Sequence, residues 1–351
     1  MKSAENNWRR RIMYSLFGLC AVMLAGCGRE NLSALQPKGE GASMLYDLMV
    51  ISIVIMIAVF LVVIAIYTYV LVRYRKKKGD QDIIPEQVEG NRNLEILWTV
   101  IPILLLLILA VPTVNYTFQL ADTSEMEAED SDNYVVDVTA NAFWWNFEYQ
   151  GQEVTTSQDL YIPTGEKVFV NLSSADVIHS FWVPAIQGKM DNNPGDSNVN
   201  TIYLETDDEG VYWGKCAEFC GPSHALMDFR VIAVSPEEFD AWLANMKEGP
   251  GEPSTEIAAA GEEIFAQSCA SCHAVEAGAV GGVGPNLTSF GDREKIAGIL
   301  EHNSENLKEW IRNPQEIKPG NNMPQFSEDQ ISDEDLDALA EYLLGLKVSD
   351  E

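Results

Sequence analysis

Two uninterrupted apolar runs constrain this chain more than any other feature. Leu45 to Val72 is apolar throughout except at Asp47, Ser52 and Thr68, and Leu94 to Leu120 is apolar with Glu95 near its start. A bilayer span needs roughly 17–25 residues, so both runs are long enough, and transmembrane helices are predicted over about 45–72 and 94–118. A pair of buried core helices is the competing reading, which runs of this length disfavour. Arg73, Arg75, Lys76, Lys77, Lys78 and Arg92 lie between them. Basic loops stay in the cytoplasm, so a hairpin is expected with residues 121–351 outside.

The N-terminus agrees independently. Arg9, Arg10 and Arg11 precede an apolar stretch from Ile12 to Met23, which is short for a span, and Leu24-Ala25-Gly26-Cys27 follows. A charged-then-apolar start with small residues before a cysteine resembles a bacterial lipoprotein signal. The resemblance implies removal of residues 1–26 and a lipid on Cys27; a retained anchor helix is the alternative.

A length of 351 residues exceeds one ordinary domain. The formal net charge of −30 is carried by residues 121–351, while the first 120 are slightly basic. So acidic a surface argues against nucleic-acid binding, and 46% apolar residues argue against global disorder. The acidity has two readings: steering of basic partners, or adaptation to an alkaline or saline medium.

Residues 121–248 read as β-structure. Strand-like segments occur at 134–138, 143–149, 167–172, 200–204, 210–213 and 229–234, separated by turn residues at intervals suited to a sandwich or barrel. Ser235-Pro236-Glu237-Glu238 reads as a helix start with Pro at the first position. Residues 249–255 are a linker by composition. Residues 256–351 show helical spacing over 257–268, 306–312 and 333–346, which predicts a small, acidic, mostly helical domain.

The six cysteines fall in three pairs. The segment from Cys216 to Met227 holds Cys216, Glu218, Cys220, His224 and Met227, and His179 lies upstream before Ser180 and Phe181. Thiolate and thioether ligands select soft metals such as copper, and imidazole suits it too. A Cys216–Cys220 disulfide, a tetrahedral zinc site and a core-packing role for Met227 are the alternatives. A disulfide leaves both histidines and Met227 unexplained, and zinc leaves Met227 idle.

Cys-x-Glu-x-Cys-x3-His-x2-Met with an upstream His-Ser-Phe resembles subunit II of the haem–copper cytochrome c oxidases. The resemblance implies a cupredoxin-like Greek-key sandwich holding a dinuclear CuA centre. Cys216 and Cys220 would bridge the two coppers, with His179 and His224 as terminal ligands. Met227 and the Glu218 carbonyl would be weak ligands, and the Glu218 carboxylate would reach a magnesium ion at the border with subunit I. Leu94 to Pro102 resembles the start of the family's second membrane helix, which would place Glu95 at the mouth of a proton path. A helix N-terminal acid favoured by the dipole is the plain alternative.

Two positions depart from the family. Its Trp-Tyr-Trp reads Phe143-Trp144-Trp145, and the first position is where an external cytochrome delivers its electron. A family arginine is replaced by Asp196. The tethered donor is expected to relax the need for the leading tryptophan.

Cys269-Ala270-Ser271-Cys272-His273 is the attachment motif for c-type haem. Cys269 and Cys272 would hold the porphyrin and His273 the iron; a thioredoxin-like pair gives no reason for the adjacent histidine. Met323, in a loop, is the preferred sixth ligand, and His302 is the rival, read as a solvated surface residue. Gly284-Pro285-Asn286-Leu287 resembles the loop whose proline carbonyl accepts a hydrogen bond from the proximal imidazole. The third unit therefore resembles an all-α class I cytochrome c.

Together these features imply the electron-input subunit of a membrane terminal oxidase. Electrons would pass from haem c to CuA and on to subunit I, where oxygen is reduced and protons are pumped. A reduced c-type cytochrome or a quinol–cytochrome c reductase would be the donor. A CuA subunit of a nitric oxide reductase and a stand-alone lipid-anchored electron carrier are the alternatives.

Overall fold

The computed structural model describes residues 10, 13–19, 31–75, 87, 89–126, 133–195, 197–279 and 282–349. Most of the expected signal, Cys20, Cys27 (the expected lipid site), Lys76 to Lys78 of the basic loop and Asp196 lie outside the described residues.

Both apolar runs are helices: α1 (Glu40–Arg73, 34 residues) and α2 (Arg92–Leu120, 29 residues). At about 1.5 Å per residue, each exceeds the roughly 30 Å hydrocarbon core. Nearly all their apolar side chains are exposed in the isolated chain. The α1 helix begins five residues before the apolar run because its first turn is joined to the β-domain. Lys38 and Ala42 donate backbone hydrogen bonds to the carbonyls of Ala185 and Ile186 at 2.6 and 3.0 Å. Gly41 packs where a Cβ would overlap the Gln187 amide. Asn91 caps α2, its side chain accepting from Asn93 and Leu94 N–H.

Ten strands follow: β1 (Val135–Asn141), β2 (Trp144–Tyr149), β3 (Val154–Ser157), β4 (Asp159–Pro163), β5 (Val168–Ser174), β6 (His179–Trp182), β7 (Met190–Asn192), β8 (Asn200–Leu204), β9 (Gly210–Cys216) and β10 (Asp228–Val234). They form two five-stranded sheets, ordered β3-β2-β1-β5-β8 and β4-β10-β9-β6-β7. The β1–β5 and β4–β10 pairs are parallel. Along β1, Val136, Val138 and Ala140 are fully buried while their neighbours are partly exposed, the period of two that builds one face of a sandwich. All six expected segments form strands. The expectation missed β3, β4, β6 and β7, which are short and, in β3 and β7, polar.

The α3 helix (Pro236–Glu248) starts as expected: Ser235 and Glu238 form a reciprocal capping box with Pro236 at the first position. Its Trp242 stacks on Tyr161 at 4.4 Å.

Beyond the linker come α4 (Glu256–Ser268), a ribbon of β11 (Lys295–Ile296) and β12 (Leu300–Glu301), α5 (Ser304–Arg312), α6 (Pro314–Ile317) and α7 (Asp333–Leu344). The short ribbon is the one departure from an all-helical reading. The α4 and α7 helices cross at Gly261, where any side chain would overlap the Ala338 carbonyl. The helical domain touches the sandwich. Arg230 of β10, fully buried, pairs with Asp159 inside the sandwich and with Glu294 across the boundary at 2.6 Å. Ser223 donates to the Pro319 carbonyl at 2.7 Å.

Candidate copper and haem sites

Cys216 ends β9, and the chain returns into β10 after a loop of eleven residues. The loop closes on itself because Cys216 N–H donates to the Met227 carbonyl at 3.1 Å. His224 to Leu226 form a single helical turn within it. His179 opens β6, the strand paired with β9 through Phe181 and Cys216. The ligand types therefore come from two neighbouring strands and one stiff loop.

The ligand atoms of His179, Cys216 and Cys220 all lie within 4.8 Å of one another. His179 Nδ1 is 3.8 Å from Cys216 Sγ, and the two sulfurs are 3.8 Å apart. His224 Nδ1 and Met227 Sδ lie 3.6 and 3.9 Å from Cys220 Sγ. The Glu218 carbonyl oxygen is 3.2 Å from Cys216 Sγ. Both thiols are free, so the disulfide reading fails: a bond needs sulfurs about 2.0 Å apart. His179 and Met227 are fully buried.

Charge is strongly coupled here. Burial raises the Cys216 thiol, but hydrogen bonds from His179 and the backbone outweigh it and bring it down to about 7. Burial and the Cys216 charge push Cys220 up to about 12. Burial lowers His179, but Asp176 and Cys216 carry it up to about 9. Without metal, the cluster favours one thiolate beside an imidazolium. A divalent or mixed-valence metal would supply the charge that lets both sulfurs ionise. Two thiolates, two imidazoles, a thioether and a carbonyl fit copper, with a use for Met227 that zinc lacks.

A second site opens on the helical domain. An apolar cleft of about 1090 Å³, partly open to solvent, is lined by Cys269, Cys272, His273 and Met323 among many apolar side chains. His273 Nδ1 lies 2.8 Å from the Pro285 carbonyl, which leaves Nε2 for the cleft. Burial lowers the His273 imidazole, which favours the neutral form that iron ligation requires. His302 does not line the cleft. It is half-buried rather than solvated, with its ring edge-on to Phe290 at 5.1 Å and its Nε2 buried without a hydrogen-bond partner. The cleft, its two thiols, His273 and Met323 fit a covalent haem.

The sandwich contributes to this cleft. Ala142, Phe143, Trp144 and Gln158 line it. The Phe143 ring lies over Gly221, the neighbour of Cys220, where a Cβ would be 3.1 Å from it; a Cβ on Gly320 would meet Phe143 and Pro222 at 3.5 Å. Trp145 is instead a core residue, edge-on to His179 at 6.3 Å. Glu95 sits exposed in the first turn of α2, remote in sequence from both sites. Glu218 is half-exposed on the copper loop.

Sequence reasoning passed over four residues that shape these sites. Asp176 lies 2.7 Å from His179 Nε2. Gln158 accepts from Trp145 N–H and donates to the Asp228 carbonyl. Arg293 and Lys318 are buried in the cleft wall. Only Asp176 carried a readable signal, an acid three residues before a ligand histidine.

Three known families match successive parts of the chain. The family described as cytochrome c oxidase subunit II, transmembrane domain, matches residues 33–116. The periplasmic domain of the same subunit matches 115–234, and cytochrome c matches 258–347. Cytochrome c oxidase subunit 2 of Bacillus sp. (strain PS3) is 51% identical over 355 residues, covering 97% of this chain and 98% of that one. The same subunit of Alkalihalophilus pseudofirmus is 49% identical and that of Bacillus subtilis 46%, each with the same coverage. The chain belongs to the cytochrome c oxidase subunit II family and carries a C-terminal cytochrome c domain.

Proposed function

We propose that this chain is the electron-input subunit of a membrane terminal oxidase. In this reading residues 121–248 carry a dinuclear CuA centre and residues 256–351 a covalent haem c. When bound, the two groups supply the one-electron chemistry, and the chain supplies position, potential and insulation. The observation that carries the reading is Phe143. It lines the haem cleft and packs against Gly221, next to Cys220.

Cys216, Cys220, His179, His224, Met227 and the Glu218 carbonyl would hold the copper. Cys269 and Cys272 would anchor the haem, and His273 and Met323 would face its iron. The fully buried Trp145 and its aromatic neighbours exclude water from the copper face and hold His179. Ser223, fully buried, joins the copper loop to the Met323 loop through Pro319. Contacts of this kind hold the donor against the acceptor, so that transfer needs no encounter between separate molecules.

The two spanning helices would dock on subunit I in a bacterial cell membrane, with both metal domains outside. Glu95 would face a proton path on the inner side, and Glu218 would reach a magnesium ion shared with subunit I. Residues 1–26 would be an export signal and Cys27 a lipid site. Oxygen reduction and proton pumping would belong to subunit I.

The test is rapid photoreduction of the haem in the intact oxidase. Haem oxidation and copper reduction should follow with matched amplitudes, and Cys220→Ser should abolish both while leaving the haem photoreducible. Haem reoxidation directly by oxygen, without copper reduction, would overturn the reading.

A further inference from the structure

We infer that Asp176 is a positioning residue that fixes the copper ligand His179 and, with the same carboxylate, the Phe143 turn facing the haem cleft. This rests on the copper reading of the site. One carboxylate oxygen lies 2.7 Å from His179 Nε2 and accepts from Val177 N–H at 2.6 Å. The other accepts from Ala142 N–H at 2.7 Å. Asp176 is itself held, because its N–H donates to Ser174 Oγ at 3.2 Å. Asp176 therefore ties together the end of β5, the first residue of β6 and the turn between β1 and β2.

His179 has two ring nitrogens and one orientation. Its Nδ1 faces the sulfur of Cys216, and its Nε2 meets Asp176 among the described residues. The ring is fully buried, so Nε2 has no water to turn to. Carboxylates on the far nitrogen of a ligand histidine fix its tautomer and make it more basic, and their loss typically costs tenfold or more in metal affinity or activity. A more basic ligand and a nearby anion both favour the more positive, oxidised metal. Ala142 precedes Phe143, so the second bond sets the turn that packs on Gly221 and lines the cleft.

The perturbation is Asp176→Asn in the intact oxidase. His179 and Ala142 sit on different carboxylate oxygens, and an amide puts an NH2 in place of one of them, so it cannot accept from both. The readouts are copper content and the redox equilibrium between copper and haem c, neither of which depends on turnover. With copper retained, the copper–haem equilibrium should shift about tenfold toward reduced copper, ~59 mV for one electron. Copper retained at an unchanged equilibrium would overturn the proposal. If the variant loses copper, Asp176→Glu decides: recovery of copper supports a carboxylate requirement, and no recovery marks simple damage to the loop and overturns it. Wild-type protein lacking copper would instead defeat the site reading itself.

Discussion

Gly214 offers a sharp test of how the sandwich supports the copper ligands. It lies two residues before Cys216 in β9 and pairs directly with Phe229 of β10. A Cβ at this position would overlap the Phe229 ring. The ring has nowhere to go: it is 1% exposed, and its centroid is 4.6 Å from Phe181 and 5.0 Å from Trp145. Trp145 in turn abuts His179. Gly214→Ala recovers the roughly 0.5–1 kcal/mol that a glycine costs within a strand. Overpacking a close-fitted core costs about 1–3 kcal/mol, so the net loss should be ~1–2 kcal/mol. Denaturant unfolding of the copper-loaded protein, followed by tryptophan fluorescence, measures it. Phe229→Leu relieves the overlap, so the double variant should be less damaged than the sum of the singles by more than ~0.5 kcal/mol. A neutral or stabilising Gly214→Ala, or strictly additive effects, would refute the reasoning.

Three further outcomes are expected. Phe143→Trp should not speed haem-to-copper transfer, since the ring is already wedged against Gly221 and Gly320; marked acceleration in flash kinetics would contradict this. Asp159→Asn should cost about 3–5 kcal/mol by removing the buried carboxylate partner of Arg230, whereas Glu294→Gln, at a partner 65% exposed, should cost only ~0–1 kcal/mol; equal shifts in denaturant midpoint would be wrong. Burial pushes the Lys318 ammonium down to about 7, against the opposing charges of Asp228 and Cys220. A base depressed on folding costs stability as pH falls from its unfolded value toward the folded one. Lys318→Met should therefore raise the melting temperature at pH 7 and lose much of that advantage by pH 9, and an equal gain at both would count against the assignment.

Motifs carried most of the chemistry, and they did so because the ligand spacings are short. Cys216, Cys220, His224 and Met227 share one loop, and Cys269, Cys272 and His273 share one turn, so their convergence is a local property of the chain. His179 was legible as a candidate ligand by its residue type, but its place at the loop is set by the β6–β9 pairing, which no local spacing announces. Long helices were legible from their apolar runs, but α1 starts at Glu40 rather than Leu45 because tertiary hydrogen bonds to Ala185 and Ile186 extend it. Short strands such as Val154–Ser157 are polar and fully buried, held by neighbours that no local pattern announces. The same limit hid the contact between the domains. Composition marks 249–255 as a linker but says nothing of Ser223 meeting Pro319, or of Arg230 reaching both Asp159 and Glu294.

The central claim is that one chain holds both a covalent haem and a thiolate-bridged copper pair. Metal analysis and a reduced-minus-oxidised spectrum of the oxidase purified through this chain test it most directly. The account predicts a c-type haem that stays on this polypeptide under denaturation, together with copper in a mixed-valence pair bound only while Cys216 and Cys220 are intact. Zinc in place of copper, or no covalent haem in a host able to attach it, would contradict the account.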